Sequence, residues 1–369
     1  MKKKIVAVDL FSGSGGTSAG LVNAGIEVKV AIEINKTAVK TYGRNLNAHI
    51  IEKDIQEVTG KEILNKVERK MNEDLLLVAC PPCQGFSSIG NGTASDIRNQ
   101  LVFQFVRLVS ELKPEYLLME NVSGMARGKG KNIFAEVLKQ LDDLGYQTEY
   151  NILNAADYGV PQTRKRLVLH GIRNDIHKKM VEKGIDIELP KQTNINPSIE
   201  ENPLGLPLWR TTQDVFNLPE LKAGEKYEGP GVYNHFANGL SDVNRKKIRY
   251  IRAHGGSRSC LPEHMVLKCH KDKNGHGDVY GIIDLLKPAP TMTGGCMSYT
   301  KGRFGHPRDD RAISAREAAR IQSFDDDFIF EGTNGEIALQ IGNAVPVKLA
   351  EASGKYFVKV NKIINGVSS

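Results

Sequence analysis

The stretch IVAVDLFSGSGG, residues 5–16, decides the fold that the sequence predicts. Its first half, Ile5 to Leu10, is an apolar run typical of a strand buried on both faces. Its second half is a glycine-rich turn, and the helical pattern that follows stops at Gly25. Glycine lets a backbone approach a ligand closely, so this order indicates a nucleotide-containing ligand, with an empty tight turn as the alternative.

Strands and helices continue to alternate through the first half of the chain. We predict further strands at 26–32, 75–79, 116–119 and 166–172, with helices at 99–112 and 132–144. This alternation is typical of a parallel α/β sheet, in which ligands bind beyond the carboxyl ends of the strands. Polar segments follow four strands and are expected at that edge: 12–16, Glu33, 80–85 and 120–124.

The alternation ends near residue 173, where a proline-rich and glycine-rich stretch begins. We predict a first domain at 1–172, a second, irregular domain at 173–300 and a C-terminal segment at 301–369. That segment contains a predicted helix from Ser314 to Gln322, capped by Ser314 and Glu317, and another from about Pro346 to Ile364. We expect the part from about residue 336 to return to the first domain.

Composition is that of an ordinary globular protein. The 369 residues are 40% hydrophobic and 25% charged, and 50 Lys and Arg against 43 Asp and Glu give a net charge of +7. About 150 residues per domain predicts two domains. No apolar run is long enough for a membrane span, so we expect no membrane partner. Five cysteines in a chain of this length fit a reducing, cytoplasmic compartment.

Three positions near the first turn bear on the ligand. Ser18 stands where the dinucleotide fingerprint requires a third glycine, which disfavours NAD. Glu33, at the end of the second strand, is placed to accept from ribose hydroxyls. Asp54, after a possible third strand, could meet an adenine amino group.

The hexapeptide Cys80-Pro81-Pro82-Cys83-Gln84-Gly85 follows the strand at 75–79. It is compatible with a redox pair, with half of a zinc site, with a single activated nucleophile and with buried, inert cysteines. The hexapeptide alone does not decide among these four.

Two further polar segments lie beside predicted strands. Glu120-Asn121-Val122 should end near Cys83, and a carboxyl group beside a cysteine suggests acid–base chemistry, with a solvated loop acid as the alternative. The arginines of Gln162-Thr163-Arg164-Lys165-Arg166 suit a phosphate or a polar heterocycle, or form a solvated basic turn.

Together, these segments resemble the DNA (cytosine-5) methyltransferase family of the bacterial, restriction-modification type. The resemblance covers nearly the whole chain, because the motifs occur in the family's linear order. They are Phe11–Gly16, Pro82-Cys83-Gln84, Asp96–Asn99, Glu120-Asn121-Val122, Gln162-x-Arg164-x-Arg166, Arg316–Arg320 and Gly342–Pro346. The segment from about 173 to 290 lacks motifs, and in the family it is the target-recognition region.

The resemblance implies a Rossmann-like, S-adenosylmethionine-dependent methyltransferase sheet with a smaller, irregular target-recognition domain. It also implies transfer of a methyl group to carbon 5 of cytosine in a short duplex DNA sequence, with base flipping. Cys83 would be the nucleophile that adds to carbon 6, and Glu120 would hydrogen-bond the base. Arg166 would contact the base oxygen, and Arg164 would support the loop or the thiolate.

The cofactor implied is S-adenosylmethionine. Its binding residues by resemblance are Phe11, Gly13, Gly15, Gly16, Glu33, Asp54, Ile55 and Asn343. One departure is Ile34, which stands where some members place an aromatic residue beside the adenine.

A basic stretch from Asn244 to Arg258 contains no Asp or Glu. We predict a phosphate-contacting surface there, with a solvated helix face as the alternative. The DNA-binding residues predicted are Gln84 and Ser87 beside Cys83, and Arg245, Lys246, Lys247, Arg249 and Arg258 in the basic stretch. The spacing of Cys260, His264, Cys269, His270 and His276 matches no standard ligand pattern, so we expect no metal.

The expected partner is duplex DNA containing the target cytosine. We expect a monomer in the bacterial cytoplasm, associated with the nucleoid, and a companion restriction endonuclease that is not bound stably. Two alternatives stay open: a tRNA cytosine-5 methyltransferase, and a catalytically silent DNA-binding scaffold. The presence of both Cys83 and Glu120 argues against the scaffold.

Overall fold

A computed structural model describes residues 3–82, 100–267 and 278–366 of the chain. The described residues belong to two compact units. The first unit comprises Met1–Tyr158, Lys165–Gln192 and Val345–Ser369, and the second comprises Gly159–Arg164 and Thr193–Ala344. Within the described ranges, no helix has the length and apolar character needed to cross a membrane.

The first unit is built on a seven-stranded sheet with the order β3-β2-β1-β4-β5-β7-β6. Its strands are β1 Lys4–Leu10, β2 Glu27–Ile32, β3 His49–Ile51, β4 Glu73–Ala79, β5 Tyr116–Val122, β6 Tyr146–Asn154 and β7 Lys165–Arg173. Strands β1 to β5 are parallel, whereas β7 is antiparallel to both β5 and β6.

Helices flank the sheet in the first unit, and three α-helices occur in the described part of the second. Those of the first unit are α1 Gly16–Asn23, α2 Lys36–Asn45, α3 Gly60–Val67, α4 Val102–Leu112, α5 Lys131–Asp143, α6 Asn174–Glu182 and α10 Val347–Ile364. Those of the second unit are α7 Asp242–Ala253, α8 Ala315–Ile321 and α9 Asn334–Asn343.

Both faces of the sheet are buried, which explains the apolar run Ile5–Val8 in β1; the acidic Asp9 that follows it is buried as well. Val6 and Val8 of β1 belong to a cluster with Phe105 of α4. Ile5 and Ala7, on the opposite face, belong to a second cluster that includes Phe357 of α10. Alternate residues of a strand point to opposite faces, so a strand covered on both sides has no polar positions to alternate.

The sequence located most of the sheet correctly, with one error of direction and one omission. The predicted α/β class is confirmed, and each predicted strand coincides with a strand of the structure. The expectation of a parallel sheet holds for β1 to β5 and is wrong for β7, which is antiparallel to β5. The strand β6 was not predicted, since only its first residue is fully buried and its sequence therefore carries little apolar pattern.

The compact units divide the chain at residues other than the predicted domain limits of 172/173 and about 336. Residues 159–164 join the second unit, whereas β7 and α6 stay with the first. The return to the first unit begins at Val345, because α9 packs against α8 in the second unit and α10 packs against α1 in the first. The predicted limits describe functional regions and stay predictions.

The second unit is organised around α8, and its N-terminus confirms the predicted cap. The Ser314 hydroxyl accepts from the Glu317 backbone N–H, and the Glu317 carboxylate accepts from the Ser314 backbone N–H. Arg311 also donates to both Glu317 oxygens, at 2.7 and 2.8 Å. This fully buried ion pair holds the pKa of the Glu317 carboxyl well below its usual range. Hydrogen bonds from a paired arginine thus replace the water that burial removes.

Close packing between α1 and α10 generates a prediction about Gly20. A Cβ at Gly20 would lie 2.4 Å from the Val347 carbonyl oxygen and 2.6 Å from the Ala350 Cβ. Gly20→Ala should therefore destabilise the protein by about 1–3 kcal/mol, because backbone atoms of α10 must move. Thermal and urea unfolding measure this effect.

Gly335 in α9 provides the matched control, since a Cβ there meets nothing within 4 Å. Gly335→Ala should be neutral or stabilise by a few tenths of a kcal/mol, because alanine is the better helix former. Equal unfolding free energies for the two variants would contradict the packing argument.

Candidate active site at the carboxyl edge of the sheet

The turn after β1 has the backbone conformation that its glycines predict. Gly13 and Gly15 have φ values of 54° and 95°, a region that side chains with a Cβ rarely adopt. A Cβ at Gly15 would also lie 2.5 Å from Leu46 Cδ1. Phe11 has a φ of 57° and packs against the main core cluster. The turn leads into α1 at Gly16, where the first backbone N–H groups of the helix have no partner within it.

Glu33 lies beside this turn because β1 and β2 are parallel neighbours that end together at Leu10 and Ile32. Its Oε2 accepts from the Gly13 backbone N–H at 2.8 Å. Its Oε1 accepts from the N–H groups of Ile34 and Asn35, at 3.0 and 2.7 Å. A carboxylate has about four acceptor positions, so the half-buried Glu33 keeps capacity for a further hydroxyl.

Asp54 and Ile55 follow β3 at the same edge. Asp54 Oδ1 accepts from the Gln56 backbone N–H at 2.9 Å and caps a short turn, Ile55–Glu57. The Ile55 side chain is buried in the core, and its carbonyl accepts from Arg107 Nη2 at 2.9 Å. Ile34, a departure from the family resemblance, is 61% exposed.

A buried network that the sequence did not predict lies under the turn. Ser18 Oγ donates to Asp9 Oδ2 at 2.6 Å, and Tyr42 OH donates to Ser18 Oγ at 2.8 Å. Burial, opposed by the Ser18 hydrogen bond and aided by Glu33, raises the pKa of Asp9 to about 7. The serine that excluded a dinucleotide fingerprint is thus the partner of a buried acid. An acidic residue inside an apolar strand was the available signal.

Cys80 lies between this network and β5. Its sulfur is 3.5 Å from Thr17 Oγ1, and its backbone N–H donates to the Leu10 carbonyl at 3.3 Å. Burial, with the nearby Glu120 and Asp9 carboxyls, raises the pKa of the Cys80 thiol well above its usual range. Such a thiol is poor in thiolate, the nucleophilic form.

Asn121 fixes the start of the segment that contains Cys83. Its side chain is 3% exposed, and Nδ2 donates to the Pro81 carbonyl at 3.1 Å. The strands β4 and β5 are parallel neighbours, so this bond joins the two strand ends. The predicted residues Cys83, Gln84 and Ser87, and the motif Asp96–Asn99, lie outside the described residues.

Glu120 and Arg166 meet at the same edge as an ion pair. Arg166 Nε lies 2.8 Å from Glu120 Oε1, and both side chains are largely buried, with 14% and 13% exposed. The contact follows from the strand pairing, since Val122 is paired with Arg166 across β5 and β7. This charge–charge contact places the Glu120 carboxylate beside the Arg166 guanidinium.

Arg164 and Asn343 lie in the second unit. Arg164 is 2% exposed and donates to the Met292 and Gly342 carbonyls, at 2.7 and 3.0 Å. A Cβ at Gly342 would lie 2.1 Å from the Thr293 carbonyl carbon, so that position requires glycine. Asn343 is exposed at the end of α9. Their predicted catalytic and cofactor-binding roles stay predictions.

The basic stretch at 244–258 is less available than its sequence suggests. Lys247 is buried, with Nζ 5.1 Å from the Tyr280 ring centroid. Arg249 and Arg252 both form ion pairs with Asp310. Arg245 lies 3.5 Å from Asp242, whereas Lys246 is exposed and Arg258 half-buried. Much of the positive charge is therefore neutralised by acids that are distant in the sequence or just before the stretch.

No cluster of metal-ligating side chains occurs among the residues that the structure describes. Of the residues considered for zinc, Cys260 and His264 are described, whereas Cys269, His270 and His276 lie outside the described ranges.

A family model described as C-5 cytosine-specific DNA methylase matches residues 5–359. The chain belongs to this family. The protein is a DNA (cytosine-5) methyltransferase, and the resemblance inferred from its motifs is confirmed. It is 35% identical over 356 residues to the Type II methylase M.HgiDII of Herpetosiphon aurantiacus, covering 94% of this chain and 93% of the relative. The Type II methyltransferase M1.HphI of Haemophilus parahaemolyticus is 32% identical over 96% of this chain and 87% of its own length.

Solved structures support the fold. A putative DNA modification methyltransferase encoded within an E. coli prophage superposes with a TM-score of 0.71 at 25% identity, covering 97% of this chain and 99% of its own. The Dnmt2 methyltransferase of S. pombe gives a TM-score of 0.61 at 19% identity, over 97% of this chain and 99% of its own, and shows the fold alone. The Rossmann-like methyltransferase sheet is therefore confirmed.

Asp9 generates a prediction about pH dependence. Because its pKa rises to about 7 on folding from an ordinary value of 3.8, the folded state holds the proton more tightly. The stabilisation is complete below the ordinary pKa and is lost as the pH rises to about 7. Asp9→Asn should abolish this dependence. The unfolding free energy of the variant minus that of the wild type should therefore increase by roughly 2 kcal/mol from pH 5 to pH 8. Urea unfolding of both proteins at both pH values tests this, and an equal difference at the two values would contradict it.

Proposed function

We propose that this methyltransferase transfers the methyl group of S-adenosylmethionine to carbon 5 of a cytosine in a short, specific duplex DNA sequence. The cytosine is flipped out of the duplex, and Cys83 forms a covalent bond to carbon 6. The observation that carries the proposal is the Glu120–Arg166 pair, which lies next to Asn121 and the Pro81 carbonyl that begins the Cys83 segment. The sheet edge thus supplies an ion-paired carboxyl at the residue before Asn121, which bonds the Pro81 carbonyl two residues before Cys83 in the sequence.

The chemistry requires a nucleophile because carbon 5 of cytosine is weakly nucleophilic. Addition of the Cys83 thiolate to carbon 6 leaves an enamine-like ring that attacks a methyl electrophile through carbon 5. Loss of the carbon 5 proton then expels the thiolate. A free thiol has a pKa of about 8.5, so only a few per cent is thiolate at neutral pH. The buried Cys80 is even less ionised, which supports Cys83 as the nucleophile.

Glu120 is proposed to hydrogen-bond ring nitrogen 3 and the amino group of the flipped base. Arg166 holds the Glu120 carboxyl through Nε and is proposed to contact the base oxygen with the remaining donors of its guanidinium. One of those donors, Nη1, is used by the Lys165 carbonyl at 2.9 Å, which fixes the orientation of the fork. A base in the duplex is out of reach, and flipping costs a few kcal/mol.

The residues around the first turn fit S-adenosylmethionine. Ser14 Oγ and Asp9 Oδ1 are buried and have no hydrogen-bond partner among the described residues. Glu33 keeps acceptor capacity for ribose hydroxyls. The turn also leads into the N-terminus of α1, where backbone N–H groups lack partners within the helix. We propose that Phe11, Gly13, Gly15, Gly16, Glu33, Asp54, Ile55 and Asn343 hold this cofactor, which supplies the electrophilic methyl group when bound.

Duplex DNA is favoured over tRNA by the relatives, since M.HgiDII and M1.HphI are Type II methylases. We propose the same setting here: a monomeric modification enzyme in the bacterial cytoplasm, with a companion restriction endonuclease that is not stably bound. The Glu120–Arg166 pair does not support the alternative of a catalytically silent DNA-binding scaffold. A protein that only binds DNA needs no ion-paired carboxyl next to the segment that contains Cys83.

Methyl transfer from radiolabelled S-adenosylmethionine to duplex DNA and to tRNA tests the proposed function. We expect label in DNA and background in tRNA, with Cys83→Ser as the inactive control. Label in tRNA alone would overturn the assignment of the substrate, and bisulfite sequencing of the labelled DNA would identify the modified cytosine.

Substitutions of Cys80 and of Cys83 are expected to have different effects on methyl transfer. Cys80→Ser should retain most of the activity, because the Cys80 thiol is buried and un-ionised beside Thr17. Cys83→Ser should lose methyl transfer. Duplex DNA with 5-fluorocytosine at the target should form a covalent adduct with the wild type and with Cys80→Ser, detected by denaturing electrophoresis and mapped to Cys83 by mass spectrometry. Comparable losses in both variants would favour redox chemistry instead.

Replacement of Glu120 should affect catalysis more than binding. Glu120→Gln keeps the shape of the side chain but weakens the pair with Arg166 and the bond to ring nitrogen 3. We expect kcat to fall roughly 10²- to 10³-fold, the range seen when one preorganised electrostatic contact is removed. Single-turnover rates and DNA affinity separate the two effects. A fall in affinity with an unchanged rate constant would show that Glu120 acts only in binding.

A further inference from the structure

A second basic segment, outside the stretch at 244–258, follows the Glu120-Asn121-Val122 motif. It contains Arg127, Lys129 and Lys131, and the sequence has no Asp or Glu from Val122 to Ala135. The segment therefore carries a local charge of +3 with no acid in its own sequence. It lies wholly in the first unit, directly after the strand that presents Glu120.

The backbone of this segment folds back on the end of β5. A Cβ at Gly130 would lie 2.6 Å from Met125 Cα and 2.7 Å from the Met125 carbonyl oxygen. Met125 itself is fully buried in the core. Gly128 has a φ of 69°, which turns the chain between Arg127 and Lys131. Two glycines thus hold the basic residues close to the edge that carries the candidate active site.

The cations on this segment have no acidic partner in the part of the chain that the structure describes. Arg127 and Lys131 are exposed, and neither forms an ion pair with a described carboxylate. Lys165 is also exposed, and it precedes Arg166, which is paired with Val122 at the end of β5. Lys165 is therefore a neighbour of the turn Ser123–Met125 on which Gly130 packs.

Arg127, Lys131 and Lys165 differ from the basic stretch at 244–258 in whether their charges are paired with acids. On α7, Asp310 neutralises Arg249 and Arg252, and Lys247 is buried. At the β5 edge, the charges stay exposed and unpaired among described residues, and the adjoining N-terminus of α5 has neither a side-chain cap nor an acidic first turn. Such a surface fits the phosphates of a nucleic acid backbone.

We propose that Arg127, Lys131 and Lys165 form a phosphate-contacting surface of the first unit that holds the DNA backbone beside the flipped cytosine. The proposal rests on the proposed function, in that duplex DNA is the substrate. Phosphate contacts position a duplex without reading its sequence, so this surface should contribute equally to target and non-target DNA.

The salt dependence of DNA binding tests the proposal. In Arg127→Ala/Lys131→Ala, the slope of log Kd against log salt should become shallower by roughly 2, since each phosphate contact contributes about 0.9. Addition of Lys165→Ala should remove roughly one more. Affinities for target and non-target duplexes should fall by the same factor, and kcat at saturating DNA should stay unchanged.

Lys178→Ala/Lys183→Ala provides the matched control. Both lysines are exposed on or just after α6, which begins at the end of β7 and thus at the opposite edge of the sheet. The control removes the same charge and should leave the slope unaltered. An unchanged slope in the Arg127→Ala/Lys131→Ala protein, or an equal change in the control, would overturn the proposal. Methyl transfer by the wild type reports on the proposed function separately, so the two failures are distinguishable.

Discussion

The antiparallel pairing of β7 with β5 is the constraint on which the candidate site depends. A parallel strand in that place would begin at the far edge of the sheet, beside Tyr116, about four residues from Glu120 along the strand axis. Because β7 runs the other way, its first residues lie where β5 ends, and Arg166 reaches the Glu120 carboxylate at 2.8 Å. One reversed strand therefore brings together Glu120, near the end of β5, and Arg166, near the start of β7.

The carboxyl edge of the sheet also depends on polar groups that are buried beneath it. Asn121 ties β5 to the Pro81 carbonyl, while Ser18 and Tyr42 hold the Asp9 carboxyl under the glycine turn. A buried polar group without a partner is costly, so each bond fixes the position of the segment that it joins. Asp9 retains one unpartnered oxygen among the described residues, and its pKa near 7 shows the cost of that burial. Rigidity below the turn and an unsatisfied oxygen within it are the properties of a binding edge that is completed by a ligand.

Local patterns in the sequence predicted local features of the structure well. Apolar runs located β1, β2, β4 and β5, and the Ser314–Glu317 spacing predicted the capping box of α8. Strand direction was not predictable in this way, because it depends on what the chain pairs with rather than on the residues of β7. The Glu120–Arg166 contact was not predicted, since 46 positions separate the two residues in the sequence and the family resemblance implied only that each contacts the base. The Asp9–Ser18–Tyr42 network was missed for the same reason, as a serine pattern carries no sign of the acid that it will meet.

The basic residues show why a short stretch of sequence is not enough to locate a DNA-binding surface. The stretch at 244–258 has no acid within it, yet Asp310, 61 positions from Arg249, neutralises two of its arginines. The segment at Arg127–Lys131 has fewer cations but leaves Arg127 and Lys131 exposed, without an acidic partner among the described residues. Attraction between a cation and a phosphate depends on whether the cation is already paired, because a salt bridge within the protein must be broken or shared before DNA can use it. The net charge of +7 is therefore a poor guide to where DNA would bind, and the pairing of each cation in the fold is the better one.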